Sequence, residues 1–509
     1  MFAIEITAAI DAVGTLTTFY LADGLLVTSP TDTPANVAFD QSLMDPGSIS
    51  VTAFGDGRTS GGTRLSLGEI RLANSDGQYD GWLTYGFDGR PVIIRSGEAS
   101  AAYPSAWTAV FTGTIEALTI NRREVVIRLR DKQLIFDRAV LTEQYGGTNV
   151  LPNGIDGTAN DLAGKAKPRL LGSASNIAPP CVNTSKLVYQ ITTGALASIG
   201  AVYDRGAGLT FGTNHGTSAA LLAATVSAGQ YDTCLAEGLF RLGSAASGEI
   251  TCDAVQGAAA VDRTASAMLL TLALAAGVDA GDINSADVAA LAADNQATLG
   301  IWINGQTDTY ARVMDQIAGT VGAYYAFDPT GILRMGRLTA PGGTSVLDLA
   351  EFDVLEPFER RPARDGDLPT WAVTIRHTRV GTVQTGDLAG AVSQARRAFI
   401  GQEWRSQRAQ NAAVKLQFLL AAETSFDTLF TTAADAADEA SRRQALYGVH
   451  RDLFEVGVPV DSIGSTSVWL MNAVTLTHPR FGLSAGRQFR LIGIRPDLAR
   501  RRYTLTLWG

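Results

Sequence analysis

From Phe2 to about residue 145, apolar and polar positions alternate with a period of two, the spacing of strands with one buried face. Phe2 to Ile10, Gly14 to Leu21, Ser48 to Phe54 and Leu65 to Leu72 read this way. Trp107 to Thr119 and Glu124 to Arg130 form a long hairpin around Asn121-Arg122-Arg123. Three turn signals punctuate the stretch: Ser75-Asp76-Gly77, Asp80-Gly81 and Asp88-Gly89. Asp bonds its own backbone there and Gly accepts positive φ without steric cost. Between the turns Ile70, Leu72, Trp82, Leu83, Tyr85, Phe87 and Val92 to Ile94 require burial. Tight turns joining short apolar strands predict a meandering antiparallel sheet of the kind that closes into a barrel. The single helical hint is Lys132 to Ala139.

The texture changes along the chain and predicts four domains: 1–145, a β-barrel; 146–258, a turn-rich β domain; 259–345, an α+β helix-hairpin domain; and 346–509, with helices and a closing β-barrel. The second opens on the Gly-rich connector Tyr145 to Ala159 and carries short strands such as Lys186 to Ile191 and Ser198 to Tyr203. In the third, Asp262 caps a helix running to Ala276 with Gly277 past its end, and a second helix covers Ala286 to Ala293. A third helix, starting near Asp308, places Tyr310, Val313, Met314, Ile317, Ala318 and Val321 on one face. A hairpin follows, Ala323 to Phe327 and Ile332 to Leu338, turning at Asp328-Pro329-Thr330-Gly331. The last region holds a strand at Trp371 to Arg379, a helix-prone stretch from Gly390 to Arg408 and a helix from Asp435 to Tyr447. Closing strands follow at Leu453 to Val458, Ser467 to Leu476, Gln488 to Ile494 and Tyr503 to Trp508. The fold class is mainly β with α+β insertions.

Composition adds bounds. At 509 residues the chain exceeds one core, and 46% apolar against 18% charged residues describes a folded protein. A formal charge of -9 argues against a duplex-binding surface, which needs clustered Lys and Arg. Cys181, Cys234 and Cys252 match no zinc or iron–sulfur spacing and read as buried thiols of a reducing compartment. The N-terminus lacks a basic n-region and alternates like a strand rather than a signal peptide. The apolar run Ala265 to Ala276 falls short of the ~20 residues that span a bilayer, so no membrane span is expected.

Catalytic patterns are weak. Gly482-Leu483-Ser484-Ala485-Gly486 has the G-x-S-x-G form, but that chemistry needs a strand-to-helix turn and a later histidine. Here the pentapeptide lies between strands with no histidine after it, so a hairpin turn is expected. His215, His377, His450 and His478 stand apart in sequence without a carboxylate set. Asp76, Asp80 and Asp88 lack calcium-loop spacing. Gly55-Asp56-Gly57 with Gly61-Gly62 lacks a P-loop lysine and leads into a strand, and a surface hairpin loop accounts for it. Arg360-Arg361, placed in a loop, and Arg500-Arg501-Arg502, in the turn before the last strand, read as solvated turn charges available to acidic neighbours. No catalytic, cofactor-binding or metal residue is nominated.

The segment Leu67 to Gly97 resembles the N-terminal barrel of baseplate hub proteins in long-tailed bacteriophages and prophages. Phe111-Thr112-Gly113-Thr114-Ile115-Glu116 with Val125 to Asp131 is similar to the closing strands of that barrel. Lys167 to Gly172, Leu187 to Gln190 and Val202 to Gly206 resemble the hub's second region, and Leu299 to Trp302 through Gly331 to Leu338 its third. The meander ending Leu491 to Ile494 and Tyr503 to Leu507 is similar to the last barrel. The resemblance implies two tail-tube-like barrels per subunit with smaller mixed domains, in a homotrimer that presents six barrels to a sixfold tube. It implies a non-enzymatic virion protein of the tail tip, made in the host cytoplasm and forming part of a DNA exit channel. The implied partners are a distal tail or tail tube ring and a central fibre or spike, with the tape measure protein as a further candidate and DNA only in passage. No appended lysozyme or peptidase module is expected, and an acidic lumen is expected from the net charge. The other reading consistent with turn-rich sheets and scattered Trp and Asp is a secreted or surface multi-domain β-protein such as a carbohydrate-active enzyme.

Overall fold

The computed structural model describes residues 1–47, 49–55, 64–362, 368–463, 468–497 and 500–509. Strands hold 39% of the chain and helices 20%, so the fold is mainly β with smaller mixed units. The glycine-rich stretch Asp56 to Gly62 lies outside the described residues.

The first sheet has seven strands in the order Leu16–Ala22, Phe2–Ala9, Pro91–Ser96, Thr108–Ile120, Glu124–Arg130, Glu69–Ala73, Leu43–Asp45. Every neighbouring pair is antiparallel. Its two edges are bridged by one short segment. Asp40 exchanges backbone hydrogen bonds with Tyr20 and Ala22 (2.9 and 2.7 Å), and Ser42 accepts from the Ala73 amide at 2.8 Å. The sheet thus returns towards itself, which removes open edges. The Asp-Gly turns compact the connection before Pro91. Asp80–Thr84 is a 3₁₀ turn that buries Trp82 against Phe19, Tyr79 and Phe87 and leaves Leu83 in solvent.

Two five-stranded sheets follow. One runs Ala207–Gly208, Ser198–Asp204, Ile250–Val255, Arg169–Ile177, Gly300–Ile303, and the other Cys181–Asn183, Val188–Gln190, Leu239–Leu242, Gln230–Cys234, Thr210–Asn214. The helices Ala265–Ala275, Ser285–Asp294 and Tyr310–Val321 then pack on the hairpin Ala323–Phe327/Leu333–Arg337. The face expected of the third helix is buried in full, and Gly322, left-handed at φ 68°, ends it. Asp262 does not cap the first of these helices. It accepts from the Ala259 amide in a preceding 3₁₀ turn, and Thr264 caps instead.

The closing sheet runs Ser345–Leu349, Ala473–Leu476, Arg487–Asp497, Arg502–Trp508, Asp452–Pro459, Leu355–Pro362. It curls until Phe358 on one edge strand lies 4.4 Å, ring to ring, from His478 beyond another strand. Beside it stands a three-stranded sheet, Arg405–Gln410, Thr370–His377, Ala422–Asp427, backed by the helix Ala433–Tyr447. The helix-prone stretch 390–408 is helical only over Gln394–Ile400. Arg405–Gln410 is instead drawn into a full antiparallel register with His377–Ala372, tertiary pairing overriding propensity. Lys132–Asp137, the one helical hint of the first region, is a 3₁₀ turn.

One ionic cluster staples these mixed units. Glu439, nearly fully buried, accepts from Arg337 (2.5 Å), Arg442 (2.8 Å) and Arg443 (2.6 Å). The same guanidiniums donate to the last carbonyls of two helices: Gly319, Thr320 and Val321 of one, and Asp294 of the other. Cations there oppose the negative end of the helix dipole and fill orphan acceptors. Burial alone raises the Glu439 pKa, but the Arg442 hydrogen bond and the surrounding guanidinium charges outweigh it and hold the carboxyl below its ordinary value. Burial and the neighbouring Arg442 push Arg337 down to about 10.

Glu439→Gln leaves three guanidiniums around a neutral amide, and a stability loss of about 3–5 kcal/mol is expected in a thermal or urea melt at neutral pH. Because the folded carboxyl has the lower pKa, this contribution is complete above the ordinary value of 4.5 and disappears as pH falls through the folded value. The gap between the two proteins therefore closes in acid.

Candidate functional site at the seam of the two end sheets

The long strand Arg487–Asp497 is shared along one edge. Its near half pairs with Ala473–Leu476, and its far half accepts Ile49–Thr52 from the opposite end of the chain. Thr52 lies opposite Gly493 and Val51 opposite Ile494, and the Ala53 amide donates to the Ile492 carbonyl at 2.8 Å. A bulge against the last strand lies between Leu491 and Gly493. Leu491 faces the core of the closing sheet, and Ile492, on the opposite face of the strand, the core shared with the first sheet. A Cβ on Gly493 would lie 2.9 Å from Thr506 Oγ1 and 3.2 Å from Thr52 Cγ2, so the absence of a side chain lets the strands meet.

Below the ladder the two ends share one apolar core. Val51, Ala53, Phe54, Ile70 and Trp82 belong to the same cluster as Leu453, Trp469, Leu470, Ile492 and Trp508. The mixed unit enters it through Tyr324, whose hydroxyl donates to the Leu470 carbonyl at 3.4 Å and whose pKa burial pushes up. At the rim, Asp452 accepts from Arg360 (2.6 Å) and Arg487 (2.5 Å), while its backbone exchanges hydrogen bonds with Gly509. This carboxylate ties three elements of the closing sheet together.

A second contact joins the first sheet to the mixed unit. Lys132 Nζ donates to Asp282 Oδ2 (3.0 Å) and to the Gly331 carbonyl (3.1 Å). The neighbouring Asp131 is buried, its Oδ2 lacks a hydrogen-bond partner, and burial pushes its pKa up to about 6 against the opposing amides of Gln133 and Lys132. Both residues line a cleft of about 420 Å³ with Arg138, Asp279 and Phe327.

The residues singled out in sequence do not converge on one centre. Ser484 sits in the hairpin turn between Ala473–Leu476 and Arg487–Asp497, with left-handed glycines at 482 and 486. His215 is not isolated: its Nε2 lies 2.8 Å from Asp232 Oδ2 across two parallel strands. Cys234, on the Asp232 strand, is buried with its thiol pKa pushed up by burial, which disfavours a thiolate. His377 is buried beside Thr378, and burial and then the Arg405 charge lower its pKa. His450 is exposed before the Asp452–Pro459 strand, and His478 packs on Phe358. Asp80 accepts from Asn74, an internal turn bond. Among the described residues no group of three or more His, Cys, Asp or Glu can hold a metal ion. Arg360 and Arg361 lie in a strand rather than a loop, paired with Asp452, Glu359 and Glu455. Arg500 and Arg502 pair with Asp497. The seam went unread in sequence, although a glycine inside the strand Gln488 to Ile494 signals close backbone approach.

No protein-family model and no curated protein matches the chain. Among solved structures the chain is similar to tail proteins. A tail protein from Neisseria meningitidis MC58 has 10% identity and a TM-score of 0.45, covering 100% of this chain and 96% of that one. The 43 kDa tail protein of prophage MuSo2 from Shewanella oneidensis has 11% identity and a TM-score of 0.43, with coverage of 100% and 96%. A chain of the native gene transfer agent virion has 15% identity and a TM-score of 0.43, covering 74% of this chain and 91% of that one.

Two outcomes follow from the geometry. Gly493→Val forces the strands apart at Thr52 and Thr506 and lowers stability by about 2–4 kcal/mol, read from a urea midpoint. Asp131→Asn removes a carboxyl whose folded pKa is raised. Its penalty is absent below the ordinary value of 3.8 and grows as pH rises through about 6. The variant is therefore more stable at pH 7.5 by about 1–3 kcal/mol and equal to the parent near pH 4, by thermal melts across that range.

Proposed function

We propose that this chain is a non-enzymatic structural protein of a phage or prophage tail tip, a baseplate hub that joins a sixfold tail tube to a threefold central fibre or spike. The observation that carries the reading is the seam. Two sheets from opposite ends of the chain are bound by a shared ladder and a shared core into one tandem body. Three copies of a tandem body offer six sheets to a ring above while remaining threefold below, and a single isologous patch cannot do both. The near end-to-end resemblance of the motifs to hub proteins supports the same assignment.

In this reading the chain divides at 1–145, 146–258, 259–345 and 346–509, with the end domains forming the ring. The ring binds the distal tail or tail tube protein, and the tape measure protein and DNA pass its lumen. Each copy carries a formal charge of -9, and an acidic wall repels the phosphate backbone so that DNA slides without sticking.

Light scattering on the purified chain over a range of concentrations, followed by mixing with the tail tube protein, tests the proposal. A particle of three times 53.6 kDa that binds the tube ring is the expected result. A strict monomer that neither binds the ring nor is found in purified tails overturns it.

A further inference from the structure

The strongest exposed apolar feature lies between Arg405–Gln410 and Ala422–Asp427. Leu416, Leu419 and Leu420 are exposed by 81%, 75% and 84%, three leucines within five residues, whereas Val13 with Leu16 and Phe352 with Leu355 are exposed only as pairs. The connection that carries them is folded, with a short helix over Ala412–Gln417. Asn411 accepts from the Ala413 amide, Phe418 and Ala421 donate back to the carbonyls of Val414 and Phe418, and Lys415 Nζ donates to the Ala421 carbonyl at 3.2 Å. Val414 and Ala421 are buried beneath it. The leucines are therefore held outward at little further ordering cost.

The neck below the tip is aromatic and basic. Lys415 Nζ and Arg408 Cζ lie 5.7 and 5.1 Å from the Trp371 ring centre, and Arg408 also pairs with Glu423 at 3.0 Å. Leucines at a tip with Trp and Lys behind them reproduce the layering of a bilayer surface, acyl chains first and anionic headgroups next.

We propose that the 411–421 loop is a lipid-surface anchor. Leu416, Leu419 and Leu420 enter the acyl boundary while Trp371 and Lys415 meet the headgroups; the chain lies on the membrane without crossing it. This goes beyond the tail reading and is tested without any tail component, so its failure leaves that reading untouched.

Flotation of the full chain with vesicles of phosphatidylethanolamine and phosphatidylglycerol, and separately of phosphatidylcholine, reads the partition coefficient. The parent is expected to float with both and more strongly with the anionic vesicles. The triple variant L416S/L419S/L420S, at solvent-facing positions and checked for an unchanged melt, loses about a hundredfold or more. Lys415→Glu removes only the anionic preference. A parent that stays with the soluble fraction, or a triple variant that floats equally, overturns the proposal. It is equally overturned if the leucines prove to drive self-association of the parent without vesicles and no flotation with them.

Discussion

Covering the apolar face around Ile492 and Trp508 is the constraint on which the architecture turns. A curled sheet has an inner and an outer face, and when both are apolar the outer one needs a partner. The closing sheet fills its inner face with Phe454, Leu491 and Leu507. Its outer residues Ile492, Leu453 and Trp508 are buried in the core they share with residues 51–54, the first sheet and Tyr324 of the mixed unit. Ordinary strand alternation makes this division, with Phe489 and Leu491 on one face and Ile492 on the other. A main-chain ladder fixes the register of the contact, which side-chain packing alone leaves adjustable.

Charge serves the same end in a different way. The chain is acidic overall, yet its buried carboxylates Glu439 and Asp452 are each met by more than one arginine. Guanidinium geometry suits this arrangement, because one fork satisfies a carboxylate and a helix-end carbonyl at once. A lysine in place of Arg443 would keep the charge and lose the simultaneous contacts to Glu439, Gly319 and Thr320. Asp131 shows the opposite case, a carboxylate enclosed without such a partner and correspondingly shifted towards its neutral form.

Local patterns were the legible part of the sequence. The amphipathic helix at 310–321, the hairpin after it, the strand at 124–130 and the turn at 482–486 all follow from periodicity and turn chemistry acting within a few residues. The same local logic failed at Arg405–Gln410, where arginines and glutamines suit a helix but pairing with Thr370–His377 was decisive. It missed the approach of His215 to Asp232 and the clustering of three arginines on Glu439, because those partners are brought together by topology. The seam lay further still out of reach: Val51 and Ile494 are ordinary strand residues, and only the internal glycine at 493 carried a trace of their meeting.

That pairing has a temporal side. A ribosome releases Thr52 about 440 residues before Gly493, roughly half a minute to a minute and a half at ordinary elongation rates. Throughout that interval Val51 has its hairpin partner Leu65 on one side only, and the edge that Gly493 and Ile494 later cover stays open. A chain broken off early therefore never hides it. The joint between residues 49–52 and 487–497 therefore closes only after the later strand has been made, and a chain lacking that strand leaves the edge and its apolar face uncovered.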